Sequence, residues 1–171
     1  LVMEVDGLSI YSVEPGDLCA GDLRRIVEQW SQLADYLKLE NPEAQLVLFD
    51  RIEQFDALQE ACPGSMDLGG CAFSWGAYST PSSAAHELVH VVVAQETSKV
   101  IVPAFLREGV ADALEGESSV LYQNQLAWEL DIEVSQASNT FTVDHVAAQH
   151  FAAWALERYG IEELLRIYEA L

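Results

Sequence analysis

The chain has 171 residues, of which 50% are hydrophobic, and a formal net charge of −20 from 28 acidic and 8 basic side chains. Such an acidic surface repels phosphate backbones and anionic lipids, which argues against nucleic-acid binding. No apolar run is long enough to cross a bilayer, so the composition predicts one globular domain with a sizeable core and no transmembrane segment.

The first half of the chain is predicted to mix strands and helices. Residues 8–11 follow an Asp-Gly turn and have the pattern of a short strand. Asp22 is predicted to cap a helix that runs to about residue 39 and stops at Asn41-Pro42. The other predicted elements of this half are strands at 45–49 and 71–78 and a helix at 52–61.

The second half is predicted to be mostly helical. Thr80 or Ser83 can cap its first helix, which has Pro81 near its start. Pro103 opens the next helix, and Gly160 ends a later one. The predicted helices span residues 82–95, 104–114, 118–130, 144–159 and 161–170, with a polar loop at 131–142.

This order of elements predicts the α+β class. We expect a single domain with an N-terminal sheet-and-helix lobe, residues 1–95, and a helical C-terminal lobe, residues 96–171. Four aromatic residues are assigned to the core, because aromatic side chains are more often core than pocket: Trp75, Tyr78, Trp128 and Trp154.

The three cysteines bear on the compartment. Cys62 and Cys71 flank a turn-rich segment that a disulfide can close, which predicts an extracytoplasmic location: secreted, periplasmic or surface-anchored. Cys19 is then left over. The alternative is that all three thiols are reduced and buried.

The sequence His86-Glu87-Leu88-Val89-His90 has the pattern H-E-x-x-H. Positions four apart lie on one face of a helix, so His86 and His90 can face one metal ion. Glu87 lies about 100° round the helix from His86, where its carboxylate can accept a proton from water beside the metal. The motif predicts a zinc site with Glu87 as general base.

Catalytic zinc usually takes three protein ligands, so a third is required. The positions that would continue a longer histidine motif hold Val93 and Glu96, which excludes that arrangement. Glu108 follows His90 after seventeen intervening residues, enough for a helix end, a turn and a new helix. Glu108 is therefore the predicted third zinc ligand.

The segment around Glu108 resembles a known family. Phe105-Leu106-Arg107-Glu108-Gly109-Val110-Ala111-Asp112 is similar to the W-L-x-E-G-x-A helix of gluzincins, the thermolysin-like and aminopeptidase-like branch of the peptidase MA superfamily. Phe105 stands where tryptophan is usual. The resemblance implies a zincin-like fold with its active site between two lobes. It also implies that Asp112 accepts a hydrogen bond from His86 and fixes its tautomer.

The similarity extends over residues 69–171. Residues 69–78 resemble the edge strand with which these peptidases pair an extended substrate. His145 opens a C-terminal helix, where the family often carries a tyrosine or histidine facing zinc. His145 is thus the first candidate for the oxyanion donor, with a helix-capping role as the alternative. Thermolysin-like enzymes carry a tyrosine between the motif and the glutamate, and no tyrosine lies between His90 and Glu108 here. His150 or a tyrosine such as Tyr122 stays open as a substitute, although His150 lies on the more polar side of its helix, where a solvated role is favoured.

These observations predict a zinc metallopeptidase that hydrolyses peptide bonds with a metal-activated water. An endopeptidase is favoured, because the sequence has no obvious motif for binding a free amino terminus. The expected partner is a peptide or protein substrate. The alternative function is a catalytically weak or inactive, metal-stabilised binding or regulatory domain of the same fold.

Overall fold

A computed structural model describes residues 1–13, 18–49, 69–97, 103–115 and 145–170. Within these ranges the protein is α+β, which confirms the predicted class. The strands are β1 (Met3–Val5), β2 (Leu8–Ser12), β3 (Ala44–Leu48), β4 (Gly70–Phe73) and β5 (Gly76–Ser79). The helices are α1 (Ala20–Leu37), α2 (Ala84–Thr97), α3 (Ala104–Leu114), α4 (His145–Tyr159) and α5 (Ile161–Ala170).

The chain divides into two compact units, Leu1–Val92 and Val93–Leu171, with the division inside α2. The predicted helices at 52–61 and 118–130 and the predicted loop at 131–142 lie outside the described residues. No helix of the described part is long and apolar enough to cross a membrane.

The first unit contains a five-stranded mixed sheet with the order β1-β2-β3-β5-β4. The three central strands run parallel, and the two outer strands are antiparallel to their neighbours. Directly paired residues share a face, so one face collects the buried side chains. These are Leu8, Ile10, Ala44, Leu46, Leu48, Ala77 and Ser79. Each large aliphatic side chain buried here stabilises the fold by about 1.5–3 kcal/mol.

The helix α1 contributes a buried stripe to the same unit. Ile26, Trp30 and Leu33 recur at helical spacing and are all buried. Trp30 donates from Nε1 to the backbone oxygen of Asp6 at 3.0 Å, which ties the helix to the turn before β2. The predicted Asp22 cap is wrong, because the N-cap is Cys19 and the helix starts at Ala20, two residues before Asp22. Asp22 lies in the first turn and pairs with Arg25 at 3.6 Å.

The predicted strand at 71–78 is a hairpin. β4 and β5 pair antiparallel through the turn Ser74-Trp75, and β4 forms one edge of the sheet. Trp75 is 46% exposed, so its assignment to the core is wrong. Its ring stacks on that of Phe73, with centroids 5.4 Å apart.

The second unit is helical over the described residues. Pro103 is the N-cap of α3, as predicted, and its carbonyl accepts from the amides of Leu106 and Arg107. Gly160 separates α4 from α5, also as predicted. Trp154 is 52% exposed on α4, so it too is not a core residue.

Candidate functional site

The motif helix α2 starts beside the strand β4. The residues Pro81 to Ser83 form a turn, after which the amide of Glu87 donates to the carbonyl of Ser83. The amide of Thr80 donates to the carbonyl of Gly69 at 2.8 Å, just before β4. The first turn of α2 is therefore fixed against the start of the edge strand, within the first unit.

His86 and His90 turn the same ring atom toward each other. Their Nε2 atoms are 3.1 Å apart, with the two rings nearly perpendicular at 83°. Two nitrogens bound to one tetrahedral zinc at 2.0–2.1 Å lie about 3.3 Å apart. The two imidazoles thus have a separation that suits two ligands of one ion, as the motif predicts. The same distance also suits a hydrogen bond between neutral rings.

Glu87 lies between the two histidines in sequence, but its side chain points toward β4. It is 4% exposed, although a carboxylate is expensive to bury. Its side chain packs against the backbone of Gly70 on β4: a Cβ atom on Gly70 would lie 2.7 Å from Glu87 Cγ and 2.8 Å from Oε1. A carboxylate at this place, shielded from bulk water, has the surroundings expected of a general base.

Glu108, the predicted third ligand, is on α3 in the second unit and is 5% exposed. Arg107 donates from Nε to Glu108 Oε1 at 2.8 Å, and its Nη2 atom forms an ion pair with the same oxygen, also at 2.8 Å. The Arg107 guanidinium is partly exposed, whereas the Glu108 carboxylate is buried. The contact between them is charge-assisted. Arg107 was not singled out by sequence reasoning.

Asp112 lies one helical turn after Glu108 and contacts α4. Its Oδ2 atom is 2.8 Å from Nδ1 of His145, and its backbone oxygen accepts from Nε2 of Gln149 at 3.0 Å. The structure thus joins two residues that were predicted to have separate roles. The predicted bond from His86 to Asp112 would link the two units and stays a prediction.

The small residues that follow His145 on α4 are packed in the core. Ala148 and Ala152 are fully buried, and a Cβ atom on Gly109 would lie 2.3 Å from the backbone oxygen of Ala148. Gly109 and Ala148 therefore lie in the contact between α3 and α4. This close approach brings Asp112 within reach of His145.

Two other residues of the second unit differ from expectation. The Nε2 atom of His150 is buried and has no hydrogen-bond partner among the described residues, so this end of the ring is not solvated as predicted. Tyr168 on α5 is a buried tyrosine that sequence reasoning missed. Burial raises the pKa of Tyr168 to about 12; the Arg107 charge opposes this rise and the Glu108 charge adds to it.

The cysteine prediction is met within the described residues. Cys71, on β4, is disulfide-bonded, and Cys19 is free and exposed. The predicted partner, Cys62, lies outside the described residues.

Neither a protein-family model, nor a curated protein, nor a solved structure matches this chain. The functional argument therefore rests on its own residues. The structure brings His86 and His90 together in the first unit, which also holds Glu87, and Asp112 and His145 together in the second, which also holds Glu108. The joining of these two groups in one site is a prediction from the sequence.

Proposed function

We propose that this protein is a zinc-dependent metallopeptidase of the gluzincin type. The observation that carries the proposal is the 3.1 Å separation of the Nε2 atoms of His86 and His90, on the helix that also carries the buried carboxylate of Glu87. With Glu108 as third ligand, the set offers two imidazole nitrogens and one carboxylate oxygen. These are the ligand types that catalytic zinc prefers, with a fourth position left for water or substrate.

Glu87 acts as the general base and acid. Zinc, when bound, polarises a carbonyl group and makes water a stronger acid. The Glu87 carboxylate accepts the proton of the attacking water and returns it to the leaving amine. Its burial supports this role, because a carboxylate shielded from bulk water reacts with a bound water and not with solvent at large.

His145 donates a hydrogen bond to the oxygen that becomes negatively charged in the transition state. Its bond to Asp112 supports the role, because a histidine whose Nδ1 is engaged by a carboxylate has a fixed ring orientation. Asp112 acts through His145 and does not touch the substrate.

The peptide substrate adds to the sheet along β4. This strand is the last in the described order, and an extended peptide can pair with such an edge through main-chain hydrogen bonds. Binding of this kind requires no free terminus, which favours an endopeptidase. The disulfide at Cys71 supports an extracytoplasmic location.

The proposal is tested by metal content and cleavage together. Zinc per chain is measured by X-ray fluorescence in wild type, Glu108→Ala and the exposed control Glu157→Ala. We expect one zinc in wild type and control, with loss or strong weakening in Glu108→Ala. A labelled peptide library is then incubated with and without a chelator.

Chelator-sensitive cleavage is the expected result. One zinc without any cleavage would favour the binding or regulatory domain instead. The absence of tyrosine between His90 and Glu108 is the feature that favours this second candidate. Wild-type protein that takes up no zinc, even after resupply, would overturn both.

A further inference from the structure

The backbone of β4 approaches the Glu87 side chain more closely than any other residue type at position 70 would allow. An ideal Cβ on Gly70 would lie 2.7 Å from Glu87 Cγ, 2.8 Å from Oε1 and 2.8 Å from the backbone oxygen of Tyr78. Contacts this short are repulsive, so at least one of these groups must move to admit a methyl group.

The surroundings hold the backbones of Glu87 and Gly70 in place. Its backbone belongs to the first turn of α2, between Ala85 and Leu88, which are both buried. The start of that helix is tied to Gly69 by the bond from Thr80. On the other side, Gly70 pairs with Ser79, which is fully buried on β5. Displacement of the strand would disturb its pairing with β5, so the Glu87 side chain is the group that must move.

We propose that Gly70 is a positioning residue for Glu87. Because Gly70 has no side chain, the Glu87 carboxylate can occupy its buried place beside the edge strand β4. The contact itself is independent of catalysis, but its consequence for turnover rests on the proposed peptidase function. The three atoms nearest to a Cβ at position 70 belong to Glu87 and Tyr78, so a methyl group there acts on the carboxylate before it acts on His86 or His90. The Gly70→Ala variant therefore keeps its metal and loses turnover.

The matched control is Gly21 on α1. It also lies in a regular element of the first unit, and an added Cβ there meets nothing within 4 Å. Gly21→Ala therefore makes the same chemical change without a steric consequence, and we expect wild-type kcat from it.

The experiment is a double-mutant cycle of Gly70→Ala and Glu87→Ala, with the midpoint of thermal unfolding (Tm) as the first measurement. We expect Gly70→Ala to lower the Tm by roughly 5 °C in the wild-type background. The drop should shrink by at least half in the Glu87→Ala background, which lacks both Cγ and Oε1. Equal drops in the two backgrounds would overturn the proposal, whether or not the protein is a peptidase.

The second measurement is the kinetic constants and the zinc content of the same purified proteins. We expect Gly70→Ala to hold one zinc per chain and to lose kcat at least tenfold, with KM changed less than threefold. In the Glu87→Gln background, Gly70→Ala should cause no further loss. An unchanged kcat in a zinc-loaded, active enzyme would contradict the positioning role. If wild type cleaves nothing, the peptidase proposal fails, and the Tm cycle still decides the contact.

Discussion

The carboxylate of Asp112 lies 2.8 Å from Nδ1 of His145, across the contact between α3 and α4. The backbone oxygen of Asp112 is bound as well, by the amide of Gln149. Asp112 is thus fixed to α4 at two points, and His145 is held by its Nδ1 atom. A histidine held in this way presents Nε2 in a defined direction, which is the property that an oxyanion donor requires.

Replacement of His145 by alanine is expected to lower kcat on a peptide substrate by about 100-fold with little change in KM, because an oxyanion donor acts in the transition state. Asp112→Asn should lower kcat less. The double variant should be no worse than His145→Ala, since Asp112 acts through His145. His150→Ala on the same helix is the comparison. A loss of kcat in His150→Ala, with none in His145→Ala, would move the donor role to His150.

The sequence predicted much of the fold where short-range signals are strong. The helix bounds at 104–114 and 161–170 match the structure because Pro103 and Gly160 punctuate the chain there. The hairpin at 71–78 was missed because Phe73, Trp75 and Tyr78 make the segment resemble one continuous strand. Its turn, Ser74-Trp75, has no residue that marks a tight turn.

The candidate site was predictable only in part, because some of its contacts depend on tertiary packing. The facing of His86 and His90 follows from helical spacing alone. The pairing of Asp112 with His145 joins residues 33 positions apart and depends on how closely α3 and α4 pack. The approach of β4 to Glu87 is likewise a tertiary contact, which sequence spacing does not predict.

The close packing of α3 on α4 depends on Gly109. A Cβ atom there would lie 2.3 Å from the backbone oxygen and 2.6 Å from the backbone carbon of Ala148. Helix propensity alone favours alanine by about 1 kcal/mol, but the clash is with backbone, which cannot rotate away. We expect Gly109→Ala to lower the free energy of unfolding in urea by about 1–3 kcal/mol. Gly21→Ala should instead be neutral or stabilising, and equal effects of the two substitutions would contradict the packing argument.

The bond between Arg107 and Glu108 predicts a dependence of stability on zinc. In metal-free protein, Arg107→Ala takes the guanidinium away from a buried carboxylate, at an expected cost of about 1–3 kcal/mol of unfolding free energy. Bound zinc would supply positive charge to the same group, so the cost should be smaller in zinc-loaded protein. Urea unfolding with chelator and with excess zinc measures both.

The comparison for Arg107 is Arg166, whose bond to Glu163 is solvent-exposed on α5. Arg166→Ala should change stability far less, and equally in both conditions. A cost for Arg107→Ala that does not depend on zinc would argue against Glu108 as a ligand.

Tyr168 makes the folded protein sensitive to alkaline pH. Burial, the largest cause, raises its pKa from 10.0 to about 12, so the folded state keeps the phenol protonated where the unfolded chain loses the proton. Because the folded pKa is the higher one, the stabilisation is complete below pH 10 and is lost as the pH rises through about 12. Urea unfolding of metal-free protein between pH 9 and pH 12 should show this decline in wild type and a weaker decline in Tyr168→Phe.

The ultraviolet titration of folded protein at high pH gives an independent readout of the same group. Tyr168 should ionise near pH 12, and this step should be absent in Tyr168→Phe. If the two proteins lose stability in parallel and titrate alike, the Tyr168 phenol is not buried as described. The packing of α5 beside Arg107 and Glu108 would then need revision as well.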